Sequence, residues 1–350
     1  MRIWALLSYR AGMNSQILGL AEALGRPFER KRLAYKPGWS GWWPAYLQRT
    51  TLAGLNVEGS DRLASPWPDL VLTAGRRHEP VCRWIRRSSG GKTRSVFLGR
   101  TWADSRHFDL VVTTPQYRLP PAPNVLENPT TLHRVTAGRL RRAAELWRPQ
   151  LGGLPRPRVA VLAGGSSGPF PFGPIAAERL GREAAEAAGD GSLLVTTSAR
   201  TSGAAAEALR KSLPPSVFFY RYRPDDDDNP YFGLLALADA VVVTGDSIAM
   251  VSEALATGKP VLLFDTGTGR RSMRGDVDGE GNDVELGSDV FRLLMGVGAR
   301  RMTRDITLVH RQLTASGQAA WLGDPWPRGA TVDSAVVDRT VRRVLSLVER

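Results

Sequence analysis

Residues 229–260 read NPYFGLLALADAVVVTGDSIAMVSEALATGKP, and this stretch decides the fold class. Asn229 is suited to cap a helix with Pro230 at its first position, because the proline lacks an amide proton that the first turn would leave unpaired anyway. The helix leads into Ala240–Thr244, an apolar β-branched run of the kind buried on both faces of a parallel sheet. Gly245-Asp246-Ser247 then opens a second helix, whose unpaired amides point at an anion such as a phosphate. Ile248 and Met250 lie on the start of that helix. Glu253, about two turns on, is placed to meet a ribose hydroxyl. Read without their neighbours, Asp246 and Ser247 are equally explained as simple helix caps. Gly258 closes the helix before Lys259-Pro260 starts the next strand.

The same alternation runs outward in both directions. Strands are expected at 2–7, 28–33, 69–73, 95–98 and 109–113, and again at 158–163, 193–197, 217–220, 240–244 and 260–264. Helical stretches and glycine-rich turns separate them, the pattern of parallel sheets with crossover helices. A helix at 138–147 and a Gly/Pro-rich segment at 151–157 suggest a hinge. The expected organisation is therefore α/β, with two doubly wound Rossmann-like domains facing a cleft: 1–150, 151–332, and a closing helix at 333–350 that packs back on the first domain.

The 350 residues carry a formal charge of +13. Residues 1–150 hold 24 Lys+Arg against 10 Asp+Glu, or +14, and residues 151–350 hold 23 against 24, or −1. Such a one-sided field favours an anionic partner: a phosphorylated substrate, an acidic membrane surface or nucleic acid. No nucleic-acid recognition motif accompanies the charge, so nucleic acid is not expected. The single cysteine, Cys82, excludes an internal disulfide and a cysteine zinc site. No run approaches the roughly 20 apolar residues of a membrane span, and the first twelve residues do not make a signal peptide. A cytoplasmic protein, soluble or peripheral on the inner face of the cytoplasmic membrane, is the expectation.

In open parallel sheets ligands bind beyond the carboxyl ends of the strands. There the second half offers Gly164-Gly165-Ser166-Ser167-Gly168, where small residues would let a ligand reach backbone amides, and Thr196-Thr197-Ser198-Ala199-Arg200, which adds hydroxyls and a guanidinium. Gly164, Gly165, Ser166, Ser167, Ser198, Arg200, Asp246, Ser247, Ile248, Met250 and Glu253 form the candidate ligand-binding set of the second half. The first half offers Arg10, Gly12, Arg76 and Arg77 for an acceptor or phosphate. Its candidate bases are Glu79, His78 and Asp104, with Glu79 expected on the ligand rim. Trp39, Trp42 and Trp43 closely follow Arg30, Lys31, Arg32 and Lys36, a pattern suited to anionic lipid headgroups or to a local aromatic cluster. The acidic runs 225–228 and 276–283 lack calcium-loop spacing, and no metal is expected.

Ser252-Glu253-Ala254-Leu255-Ala256-Thr257-Gly258-Lys259-Pro260 resembles the donor-binding element of GT-B glycosyltransferases. The whole 229–260 block is similar to the family named for a plant mitochondrial-fission factor, which has many bacterial members. Arg10-Ala-Gly12 with Gln16, Ala74-Gly75-Arg76-Arg77, residues 108–112, Leu132-His133-Arg134-Val135 and residues 298–304 extend the likeness. The resemblance implies a GT-B-like fold with a nucleotide sugar as co-substrate in the second domain, an acceptor in the first, and no further cofactor. Two departures fall on the first domain. The family turn after strand one typically reads Asp-Gly-Lys-x-Gly-His, whereas this chain has Ser8-Tyr9-Arg10-Ala11-Gly12-Met13, and Met13 cannot abstract a proton. The family's His-Asp after the fifth strand is replaced by Pro115-Gln116.

Three functions are compatible with these features. One is a metal-independent glycosyltransferase acting on an envelope lipid or lipid-linked saccharide. Another is a binding or recruiting protein at a membrane surface that kept the fold and lost catalysis. A nucleotide-sugar epimerase is the third.

Overall fold

The computed structural model describes residues 1–7, 10–39, 50–215, 217–275, 281–297, 303–329 and 334–349. It divides into two compact units, Met1–Arg134 with Asp333–Arg350, and Val135–Val332.

The first unit contains β1 (Ile3–Leu7), α1 (Ala11–Ala23), β2 (Phe28–Arg32), β3 (Leu70–Ala74), α2 (His78–Ser88), β4 (Arg94–Leu98), β5 (Leu110–Thr113) and β6 (Val125–Glu127). The strands form one parallel sheet in the order β2-β1-β3-β4-β5-β6. Alternation along β1 shows why its sequence is apolar throughout: Ile3, Ala5 and Leu7 join one core cluster, while Trp4 and Leu6 join the cluster on the opposite face. The edge strand β2 reads FERKR and is largely exposed, a charged edge that resists pairing with another chain. The last helix, Ser334–Val348, packs with α1 and β4. Its Thr340 hydroxyl accepts from Asn128 Nδ2 at 3.0 Å, and Val344 is fully buried.

The second unit runs α3 (Ala137–Leu151), β7 (Arg158–Leu162), α4 (Pro174–Ala188), β8 (Ser192–Thr196), α5 (Gly203–Ser212), β9 (Phe218–Tyr220), α6 (Tyr231–Leu237), β10 (Ala240–Thr244), α7 (Ile248–Leu255), β11 (Val261–Phe264), α8 (Leu286–Val297), α9 (Thr307–Ala315) and β12 (Ala320–Trp321). Its parallel order, β12-β11-β10-β7-β8-β9, is the Rossmann arrangement, with the reversal between β7 and β10. All ten expected strands are present to within one residue at each end. The sequence pattern missed β6 and β12, short edge strands of three and two residues.

The division differs from the expected one at 150/151. Residues 135–150 belong to the second unit because α3 packs on α6, where Gly233 lets Trp147 approach: a Cβ there would lie 2.4 Å from Trp147 Cδ1. The segment read as a hinge is fastened to the same unit. Arg158 donates through Nε to the Leu154 carbonyl at 3.0 Å and through Nη2 to that of Gly152.

Candidate functional site

The order reversal in the second unit brings the turns after β7, β8 and β10 together. Thr244, the last residue of β10, accepts from the Gly164 amide at 2.8 Å. Asp246 Oδ2 accepts from the Gly165 amide at 3.1 Å and from Arg200 Nη2 at 2.6 Å, and the aspartate is 1% exposed. Arg200 also donates through Nη1 to the carbonyls of Gly165 and Ser166, each at 3.3 Å, and Ser198 Oγ donates to the Gly164 carbonyl at 3.1 Å. Close approach explains the glycines: a Cβ at Gly164 would lie 2.3 Å from Asp246 Oδ1, and one at Gly165 would lie 2.2 Å from the Arg200 carbonyl.

This corrects one expectation. The amides of Gly164 and Gly165 are taken by Thr244 and Asp246, so the glycines serve loop packing rather than direct ligand access. Ser166 Oγ accepts from the Phe172 amide at 2.9 Å and donates to Glu285, while Ser167 Oγ accepts from Arg304. The guanidinium of Arg200, whose side chain is 42% exposed, is the charged group this network presents outward.

Ser247 precedes α7 with φ −112° and ψ 83°, outside the helical region, and makes no side-chain cap. Ile248 is buried, and Met250 is half-buried against the core. Glu253, on the same helix, is 7% exposed and accepts from the Tyr231 hydroxyl at 2.6 Å. Burial and the neighbouring carboxylate push the Tyr231 hydroxyl well above the usual phenol range, so it stays protonated and donates. Asn229 does cap here, its Oδ1 accepting from the Tyr231 amide at 3.0 Å. Behind the turn, His310 hydrogen-bonds through Nε2 to the Gly245 carbonyl at 2.8 Å. Burial lowers its pKa to about 4, keeping it neutral.

In the first unit, the candidate bases are occupied structurally. Glu79 was expected on the rim, yet it is fully buried and accepts from the amides of Trp102 and Ala103 at 2.8 and 2.9 Å. Burial raises its pKa to about 7. His78 is 2% exposed, its Nδ1 lies 3.0 Å from Thr73 Oγ1, and burial lowers its pKa to about 4. Asp104 holds Arg106 at 2.8 Å, and hydrogen bonds from Arg106 lower its pKa to about 2. A carboxylate so stabilised is a weak base.

Arg76 and Arg100 both stack on Trp102, with guanidinium carbons 5.0 and 4.6 Å from the ring centroid, and Arg77 lies 5.8 Å from the Tyr35 ring. Arg10 precedes α1, and Gln16 donates to the Gly12 carbonyl at 3.2 Å. Trp39 packs over Gly54, where a Cβ would meet its ring at 1.9 Å; Trp42 and Trp43 lie outside the described residues.

Sequence reading missed Thr244, Tyr231, His310, Arg304, Arg100 and Trp102. Thr244 and Tyr231 stand inside the quoted 229–260 stretch, and their positions at a strand end and a helix start were the available signal. His310 carried none, since it reaches the turn from distant sequence, and Arg304 stood only at the end of the 298–304 likeness, with no role attached to it. Asp283, in the acidic run 276–283, accepts from the amides of Gly173, Ile175 and Ala176 at 2.9, 3.1 and 2.9 Å and so caps α4. Among the described residues, no group of three His, Cys, Asp or Glu is arranged to hold a metal, and no helix is long and apolar enough to cross a membrane.

The model of the family described as mitochondrial fission ELM1 matches residues 11–276. The mitochondrial fission protein ELM1 of Arabidopsis thaliana is 29% identical over 221 residues, 56% of this chain and 51% of that protein, so the match spans about half the length of this relative. UDP-GlcNAc 2-epimerase from Neisseria meningitidis, solved bound to UDP-GlcNAc, has a TM-score of 0.50 at 12% identity, covering 99% of this chain and all of that one. A glycosyltransferase from Rickettsia africae has a TM-score of 0.44 at 11% identity, covering 99% and 97%. The likeness to the Neisseria enzyme shows a shared GT-B-like fold.

Proposed function

Because the chain belongs to the mitochondrial fission ELM1 family and has a GT-B-like fold, we propose that it is a metal-independent glycosyltransferase using a nucleotide-sugar donor bound by its second unit. The observation that carries this reading is the network of Gly165, Ser198, Arg200 and Asp246 at the β7/β10 reversal, with the Glu253–Tyr231 pair on the adjoining helix. In the proposed complex Arg200 turns its guanidinium to the diphosphate and the start of α7 offers amides. Glu253, held by Tyr231, accepts from the ribose. Transfer forms a bond from the acceptor oxygen to the anomeric carbon as the bond to the diphosphate breaks, and the proton of the acceptor hydroxyl passes to the departing diphosphate or to water. The electron pair leaves on the nucleoside diphosphate, where positive charge stabilises it without a metal ion. The acceptor is an envelope lipid or lipid-linked saccharide, and the basic Trp42/Trp43 segment is the membrane contact in this reading.

A second reading is favoured by one specific observation: Glu79 and His78 are buried, and Asp104 is committed to Arg106. On that reading the protein binds a nucleotide sugar and recruits partners without turning it over.

Calorimetry of the purified chain against UDP, GDP, CDP, ADP and their sugar conjugates separates these readings. Selective binding followed by transfer of labelled sugar to extracted lipid supports the enzyme. Selective binding with no transfer or hydrolysis supports the recruiting protein. Folded chain that binds none of the panel rejects donor binding altogether.

A further inference from the structure

Two arginines of the first unit reach one tryptophan by the same local device. Strands β3 and β4 run parallel with Ala74 opposite Leu98, the last residue of each. A glycine with positive φ follows each strand, Gly75 at 91° and Gly99 at 95°, and an arginine follows each glycine, Arg76 and Arg100. Residues with a side chain rarely adopt that backbone, so both chains turn at the same register for the same reason. The guanidinium carbons of Arg76 and Arg100 lie 5.0 and 4.6 Å from the Trp102 ring centroid, which leaves them no more than about 10 Å apart. Glu79 holds the platform in place. From the first turn of α2, which begins two residues after Arg76, its carboxylate accepts from the successive amides of Trp102 and Ala103, tying the loop after β4 to the loop after β3.

Arg76, Arg100 and Trp102 are each half-buried, so solvent reaches them. Like charges held against one ring repel each other, and an anion seated across them removes that repulsion. Guanidinium forks take phosphate oxygens in pairs. A phosphate or diphosphate presents oxygens to two forks at once, whereas a lone carboxylate is filled by one. The positive end of α2 adds to the attraction. The pair also stands beyond the carboxyl ends of adjacent parallel strands, the side of an open sheet on which ligands bind.

We infer that Arg76 and Arg100, spaced by Trp102, form a clamp for a phosphate or diphosphate group. The clamp stands without the glycosyl-transfer reading, because none of its residues lies in the unit assigned to the nucleotide sugar. Where that reading holds, and this step alone rests on it, the clamped group belongs to the acceptor, which is then a phosphate-bearing molecule rather than a neutral sugar or lipid.

Titration calorimetry of the full chain with pyrophosphate and acetate tests the clamp, in an Arg200→Gln background that removes the guanidinium proposed for the donor. Pyrophosphate is expected to bind at least about tenfold more tightly than acetate, and Arg76→Gln and Arg100→Gln each to lower its affinity about tenfold. Arg100→Lys, which keeps the charge and loses the fork, gives an intermediate loss should the glutamine variants not fold. Arg106→Gln removes one charge from the exposed pair with Asp104 and is expected to change the affinity less than about twofold. Trp102→Ala lowers it as the arginine variants do, although both guanidiniums remain, and Trp102→Phe retains it, which separates positioning from a loss of stability. In chains that keep Arg200, UDP binding is unchanged by Arg76→Gln and Arg100→Gln. Equal losses in Arg106→Gln and Arg100→Gln reduce the clamp to the diffuse field of the first unit and overturn it, as does pyrophosphate affinity unaltered in both Arg76→Gln and Arg100→Gln. Vesicles of phosphatidylcholine with phosphatidic acid identify the source of the group: vesicle binding that pyrophosphate displaces and Arg100→Gln weakens puts the phosphate on a lipid, and pyrophosphate binding without such competition puts it on a soluble ester, the clamp holding in either case. A parent chain that binds pyrophosphate through Arg100 but no nucleotide rejects the donor reading alone.

Discussion

Arg200 and Asp246 meet at 2.6 Å across two turns that are 46 residues apart in sequence, one partner half-exposed and the other buried. The arginine neutralises a carboxylate that has left water, and in the proposed donor complex the same guanidinium turns to the diphosphate. Structure and binding therefore compete for one side chain. Occupation of the site by a diphosphate would leave Asp246 held by the Gly165 amide.

Arg200→Ala is expected to destabilise the second unit by about 1.5 kcal/mol, the lower end for a hydrogen bond to a charged group because the arginine is partly solvated. Asp246→Asn should cost less than Asp246→Ala, since the amide oxygen still accepts from Gly165. Urea denaturation of the three variants gives the order, and an Asp246→Ala protein as stable as the parent would remove the network from the site.

Glu253→Gln should preserve the fold while lowering nucleotide affinity at least tenfold, because the amide still accepts from Tyr231 but carries no charge. Glu253→Ala leaves the Tyr231 hydroxyl buried without this acceptor and is expected to cost roughly 1–3 kcal/mol in addition. Tyr231→Phe should weaken nucleotide binding less than either. Equal affinity for UDP-type ligands in parent and Glu253→Gln proteins would contradict the role given to Glu253.

His310 is neutral in the folded state to about pH 4, against an ordinary value of 6.5. The unfolded chain takes up the proton first, so stability from this residue is present above pH 6.5 and is lost as pH falls through 4. The full loss is on the order of 3 kcal/mol. His78, lowered to the same value, adds to it in the first unit. Glu79 acts oppositely: raised from 4.5 to about 7, it favours the folded state below pH 4.5, and that contribution is lost as pH rises through 7. His310→Gln should flatten the melting temperature between pH 6.5 and 4.5, and an unchanged slope would show that its proton uptake is not coupled to unfolding.

Asp283 caps three amides at the start of α4, and Gly173 leaves room for it, since a Cβ there would lie 2.3 Å from Asp283 Oδ1. Asp283→Ala is expected to cost about 2 kcal/mol, the upper end for loss of a cap. Gly173→Ala should cost a comparable amount by displacing the carboxylate. Thermal melts with and without millimolar calcium distinguish a cap from a cation ligand, because calcium should leave the parent's melting temperature where it is.

Anionic vesicles are expected to float the intact chain, and Trp42→Ala with Trp43→Ala to abolish the effect. Trp39→Ala should instead lower stability, since that ring covers Gly54. Absence of flotation by the parent protein would remove the membrane contact.

The local signals of sequence were sufficient for the fold class. Doubly buried strands such as Ile3–Leu7 and Ala240–Thr244 are apolar on both faces, and that requirement is written residue by residue. The turns that end those strands were legible for the same reason, because small and polar residues punctuate the runs. What each turn residue does was decided only by tertiary structure. The Gly164 amide meets Thr244 and the Gly165 amide meets Asp246 from strands whose adjacency depends on the order reversal, so nothing in either turn announces that the glycine amides are already taken. Glu79 reads as a rim carboxylate and becomes a buried acceptor because the loop after β4 folds over it. Hydrophobic periodicity is a property of neighbours in the chain; hydrogen-bond partnership and burial of a charge are properties of neighbours in space.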